Sequence, residues 1–225
     1  MPDYEYISPT IAEAESIEMR HLGDLVGEIA YRLPGCPALV MRKELQNTWA
    51  DFAARTGALC FPAKATLAKG RKKYGFAPPV DATVRAVKNI HLAYVDEDGH
   101  VSHHPYRWFW RRFSYANLGS AVSIVLDLEI DDAFLESDNL LLCKLECRPT
   151  IGSEDIPDFI FNKWARAIVV GTLYRLCSMP NHPWTNPAIA TQSQIEYENA
   201  TNEASIEQVE DRRGNINATN WEGWA

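Results

Sequence analysis

The hydrophobic residues of this 225-residue chain change their spacing twice, and no single-layer fold accommodates that. Up to Gly57 they recur every three or four positions, from Ala58 to Pro149 they alternate, and from Asp155 the helical spacing returns. A side chain repeats its direction every 3.6 residues in a helix and every two in a strand, so the chain reads as helix, then sheet, then helix. In the first stretch Leu22, Leu25, Val26, Ile29 and Leu33 mark a short amphipathic helix that Pro34 and Gly35 end. Pro37 then suits a first helical turn, and Leu45, Trp49, Phe52 and Thr56 line a second helix that stops at Gly57.

In the middle stretch residues 83–95 place Val84, Ile90, Leu92 and Tyr94 on one face, and the turn residues 96–99 predict a hairpin. Residues 122–128 and 140–147 have the length and composition of further strands. Beyond them Asp155 is the expected N-cap of a long helix with Pro157 in its first turn. Its apolar residues run from Phe159 to Leu176 round much of the circumference, so it is expected to be buried on several sides, in a bundle or against other subunits. Pro180, Pro183, Trp184 and Pro187 then form a stiff corner, with Asn186 capping a last helix that runs to about Arg213. That helix is more dilute in apolar residues, and Ile189, Ile195, Ala200, Ala204, Ile206 and Val209 would let it cover a surface but not build a core.

The expected fold is therefore α+β: an antiparallel bundle of about four helices, a small antiparallel β domain inserted between the second and third, and an extended C-terminal arm. The boundaries are 1–58 and 150–213 for the two halves of the bundle, 59–149 for the β domain and 214–225 for the arm.

Charge and composition narrow the function classes. The net charge of −8 concentrates at the ends, with seven acids against Arg20 alone in residues 1–31 and seven against Arg212 and Arg213 in residues 193–225. Such a surface repels phosphates and argues against a DNA groove reader. The basic run 69–73 reads as a solvated loop. No apolar run approaches the ~20 residues of a membrane helix. The acidic start lacks a signal-peptide pattern, which predicts synthesis and work in a cytosol. The five cysteines, Cys36, Cys60, Cys143, Cys147 and Cys177, make a poor disulfide framework, and Cys143 and Cys147 are expected in the core. The sequons at Asn199 and Asn217 carry no meaning without export.

No catalytic motif emerges. His100, His103 and His104 could ligate zinc with Asp96 or Asp98, but no accompanying motif supports it, and a solvated hairpin tip is the preferred reading. Asp155 and Asp158 suit a helix N-terminus for electrostatic reasons alone. The aromatic and basic run 106–113 suits contact with another chain better than base stacking. In the polar arm, Trp221 and Trp224 have no local core to join, and with Asn217 they are candidate docking residues. No metal or other cofactor is expected.

Five runs carry a resemblance: LPGCP at 33–37, LQNTWADFAART at 45–56, LCKLECRP at 142–149, IPD at 156–158 and GTLYRLCSMPNHPWTNP at 171–187. Their order and content resemble the head-to-tail adaptor proteins of tailed phages, connector subunits related to tail tubular protein A of short-tailed phages. The resemblance spans about Leu22 to Arg213; Ala53 departs from it, where a small polar residue or Cys is expected. It implies a non-enzymatic virion protein of the neck, in a ring usually of twelve copies between portal and tail. The implied partners are the portal protein, a tail or nozzle protein, further copies of the chain and double-stranded DNA passing through without sequence reading. No membrane is implied. A stopper or tail-completion protein of the same neck is the alternative, and a metal enzyme built on the histidine tip a more distant one.

Overall fold

Pro37 starts the first substantial helix of the computed structural model, which describes residues 17–68, 71–78, 80–95, 101–103, 113–117, 120–126 and 140–214. The extended backbone of this proline caps α2 (Ala38–Thr56), and Gly57 ends it in the left-handed conformation at φ 65°, where a side chain would be strained. Met41, Leu45, Trp49, Phe52 and Ala53 form its buried face. Before it, Met19–His21 is a short strand, β1, Leu22–Leu25 a 3₁₀ turn and Val26–Arg32 the helix α1. Leu22, Leu25, Ile29 and Leu33 are buried as their spacing requires.

Strands β2 (Cys60–Thr66), β3 (Lys73–Phe76), β4 (Ala82–Val95), β5 (Val101–His103), β6 (Phe113–Asn117), β7 (Val122–Leu126) and β8 (Leu140–Pro149) follow. They make two sheets, one in the order β2-β8-β4-β5 and one in the order β3-β7-β6. β2 pairs antiparallel with β8, Cys60 opposite Glu146 and Ala63 opposite Cys143, and β4 pairs antiparallel with β5 as a hairpin. β8 is buried almost along its length, including Leu141, Leu142, Cys143, Leu145 and Cys147. Along β4 Val84 and Ile90 are buried together with Ala93, so the strict alternation read from sequence breaks near its end.

Asp155–Pro157 is a strand, β9, and the next helix, α3 (Asp158–Cys177), takes its N-cap from Pro157. The expected cap at Asp155 is thereby corrected: this residue pairs with His21 across a two-stranded antiparallel ladder with β1. Asp158 in the first turn and Arg175 in the last complement the helix dipole. The last helix is α4 (Pro187–Gly214).

These elements overturn the expected bundle of four helices with a β domain inserted between the second and third. α1 has seven residues, about two turns, too short to form a wall of a bundle. The strands are not confined to one inserted domain, because β1 precedes the first helix and pairs with β9 directly ahead of α3. There are three antiparallel sheets rather than one. The described chain divides into a unit around Cys60–Cys147 and a unit of Ser16–Leu59 with Arg148–Gly214.

In the second unit α3 is the central element. Ile160, Trp164, Ile168, Val169, Val170, Leu173 and Leu176 are all buried, with α2 and α4 packed against the helix. A Cβ added at Gly171 would lie 2.6 Å from the Tyr197 ring of α4 and 2.7 Å from Thr48 Cγ2 of α2, closer than real atoms approach. The three helices pinch at this glycine. Phe52 stacks obliquely on Trp164 at 5.7 Å and on Tyr197 at 6.4 Å beside it.

Candidate functional site

Helical contacts this close leave no room for water, so every buried hydroxyl needs a partner nearby. Thr48, Thr56, Thr172 and Thr201 each donate to the carbonyl four residues earlier, at 2.7–2.8 Å. These four threonines are thus satisfied within their own helices, whereas the buried Trp49 Nε1–H has no hydrogen-bond partner among the described residues.

Between α2 and α4 a charged cluster surrounds Asp51. Tyr197 donates its hydroxyl to Asp51 at 2.9 Å, while the guanidinium groups of Arg55 and Arg175 stand 3.8 and 3.7 Å from the same carboxylate. Arg55 also donates both terminal nitrogens to Glu198 and lies over the Tyr197 ring at 5.6 Å. The hydrogen bond from Arg55 holds the Glu198 carboxyl below its usual range. Burial, reinforced by Asp51, pushes the Tyr197 phenol well above its ordinary value. A phenol held neutral and carboxylates already paired make a clasp, not an acid and base poised for proton transfer.

The corner expected at Pro180, Pro183, Trp184 and Pro187 is present between Cys177 and Pro187, and it is closed by main-chain bonds. The Asn186 amide donates to the Cys177 carbonyl at 3.1 Å, and the Asn186 side chain accepts from Ile189 N–H at 3.2 Å, the predicted cap. Thr185 donates its hydroxyl to the Met179 carbonyl, and Asn181 turns the chain with a φ of 62°. Trp184 is half-buried and stacks on His182 at 4.5 Å. Pro180 and Pro183 are exposed, so their role is to restrict the backbone.

At the β1–β9 ladder His21 Nδ1 accepts from Gly23 N–H, which leaves Nε2 to donate to Glu154 at 2.9 Å. Gln46 donates to the other Glu154 oxygen at 3.0 Å, and Arg20 pairs with Asp158 at 2.7 Å. These contacts tie the ladder to α2 and to the start of α3.

In the β unit Glu146 is almost wholly buried, faced by Arg85 and Lys88 from the adjacent strand β4. None of the five cysteines forms a disulfide, and burial raises the thiols of Cys36, Cys143, Cys147 and Cys177, with Cys147 at about 12, which makes these four poor nucleophiles. Among the described residues no group of three His, Cys, Asp or Glu could hold a metal ion, and no helix is long and apolar enough to cross a membrane. His100, His104, the aromatic residues 106–112, Asn217, Trp221 and Trp224 lie outside the described residues, as does the side chain of His103.

Among the described residues, large apolar side chains do stand exposed. Tyr31, Leu39, Ile151, Phe159, Ile195, Ile206 and Val209 are exposed, and all belong to the helical unit. On α4 the buried side is Ala190, Ser193, Tyr197, Thr201 and Ala204. Ile195 and Ile206, 58% and 57% exposed, are eleven residues or about three turns apart, and therefore share the opposite side of the helix. The sequence identified these isoleucines but assigned them to the covering face. The inward face was hidden because three of its five members are Ser, Tyr and Thr.

No protein-family model matches the chain, and no curated protein matches it in sequence.

Proposed function

We propose that the chain is a structural assembly protein, a head-to-tail adaptor that joins its own copies into a ring between a portal and a tail. The observation that carries this reading is the apolar surface of the helical unit, with large side chains such as Leu39 and Ile206 standing 80% and 57% in water. Ile195 and Ile206 on one side of α4, with Leu39 on α2, offer apolar surface to a partner. The order of the LPGCP, LQNTWADFAART, LCKLECRP and GTLYRLCSMPNHPWTNP runs supports the adaptor class. The polar clasp and the main-chain-bonded corner suit a subunit whose helices keep one angle in every copy. The acidic net charge suits a channel wall along which DNA slides without sticking. Trp221 and Trp224 of the C-terminal segment are the proposed anchors to the portal.

Light scattering with and without purified portal tests the proposal. The free chain is expected to be a monomer or small oligomer and to form a ring on the portal, and deletion of residues 215–225 is expected to abolish attachment. A chain that stays monomeric beside its portal refutes the adaptor reading, and unchanged attachment of the truncated chain refutes the anchoring role of the tryptophans.

A further inference from the structure

The exposed stripe of α4 is flanked by carboxylates. Glu198 lies toward one side of Ile195, and Glu196, Glu203 and Glu207 lie toward the other, while the described part of the helix before Arg212 carries no Lys or Arg. Glu196, Glu198 and Glu207 pair with Arg166, Arg55 and Lys163. Glu203 has no ion pair among the described residues.

A second apolar patch on the same unit has the opposite charge. Leu39, Arg42 and Lys43 are spaced three and four residues apart on the first turns of α2 and share one face. All three are exposed, and Arg42 and Lys43 form no ion pair among the described residues. Tyr31, 90% exposed, stands at the end of α1, on the other side of the short turn that leads into α2.

We infer that these two surfaces bind each other between copies: Ile195, Ile206 and Glu203 of one chain against Leu39, Arg42 and Lys43 of the next. The occupant is a second copy because each patch supplies what the other lacks: an apolar stripe whose acid outside the pairs with Arg166, Arg55 and Lys163 is Glu203, for an apolar face carrying the bases Arg42 and Lys43. Complementary charge of this kind fixes the register of a contact more than its strength. The two patches are different surfaces, so the contact is head-to-tail. Each bound copy therefore keeps one free half of each kind, and the assembly grows until it closes. The inference rests on the ring reading above and adds its contact surface.

Cysteine cross-linking in the full-length chain tests it, since the native thiols are largely buried. Under mild oxidation at high protein concentration, Leu39→Cys mixed with Ile206→Cys is expected to give a mixed dimer, and the double variant a ladder of higher species. Arg42→Glu with Lys43→Glu should remove the product, and Glu203→Lys in the partner should restore it. Lys72→Cys, on an exposed residue of the β unit, sets the background. A yield no greater than that background overturns the contact, and so does Ile206→Cys linking to itself as readily as to Leu39→Cys, which would mean two-fold pairing. A ring that forms on the portal without these cross-links overturns the surface but leaves the adaptor reading. Cross-links in a chain that never engages a portal support the contact and overturn that reading.

Discussion

The helical unit and the β unit bury polar groups in opposite ways. The helical unit buries four threonine hydroxyls that bond back to their own helix, so each of these is satisfied before the helices meet, while the Tyr197 phenol waits for Asp51 of another helix. The β unit buries the Glu146 carboxylate, which is satisfied only once β4 brings Arg85 and Lys88 beside β8. The surfaces differ too, since every exposed large hydrophobic residue among the described positions lies in the helical unit. The helical unit can be assembled from preformed parts and leaves apolar surface for partners. The β unit depends on tertiary pairing, and among its described residues no large apolar side chain is exposed.

The contrast breaks most visibly at Glu146. Glu146→Ala removes the buried acid that Lys88 and Arg85 face, and breaking a buried pair costs about 3 kcal/mol or more; Arg85 is 45% exposed, which keeps the effect near the lower end. Urea unfolding should show the loss, with hydrogen exchange rising first in β4 and β8. An effect below about 1 kcal/mol, the scale of an exposed pair, would mean the trio is solvated and the contrast is lost.

Gly171→Ala probes the other side of the comparison. Inserting a methyl group where Thr48 and Tyr197 already stand 2.6–2.7 Å from its position should cost about 1–3 kcal/mol, read as a lower urea midpoint. Thr48→Ser in the same chain should recover part of the loss, because it removes the Cγ2 that the new methyl meets. A Gly171→Ala chain as stable as the parent would show that the three helices are not closely packed.

Tyr197→Phe is expected to cost about 1 kcal/mol, the net worth of one hydrogen bond, since Asp51 keeps its two arginine neighbours. A substantially larger loss would show that the clasp acts as a unit.

Glu198→Gln should have the smallest effect, and one that depends on pH. The folded-state pKa of Glu198 lies below its ordinary value because of Arg55, so the carboxylate stabilises the fold above its unfolded pKa of ~4.3. That contribution fades as pH falls through the depressed folded value. Wild-type and Glu198→Gln unfolding curves should therefore differ near neutral pH and converge in acid; a constant offset would assign the effect to packing.

Much of this architecture could be read from spacing. Leu45, Trp49 and Phe52 defined the inner face of α2, Gly57 its end, and Asn186 the cap of α4, because each signal is local and physical. β1 and β9 were missed for the opposite reason: Asp155, Ile156 and Pro157 look like a helix start, and nothing near them announces a ladder with Met19–His21. The bundle expectation failed at the same point, since α1 was given a full wall that its seven residues cannot supply. The site was less legible still. The Asp51 clasp joins residues from three helices, and on α4 the inward side is polar in residue type while isoleucines face out, which reverses the usual reading of hydrophobicity.

The β1–β9 ladder has a consequence for how the protein is made. Met19 pairs with Pro157, so the helical unit cannot close until the ribosome has delivered everything between them. Contacts this distant in sequence slow folding, because the intervening loop must be closed before it is rewarded. α2 emerges early, with Trp49 and Phe52 still waiting for α3 and α4, whereas β2 and β8 bracket a stretch that can pair as soon as residue 149 is out. The strands should therefore settle first, and the nascent helix is the part that chaperones would find.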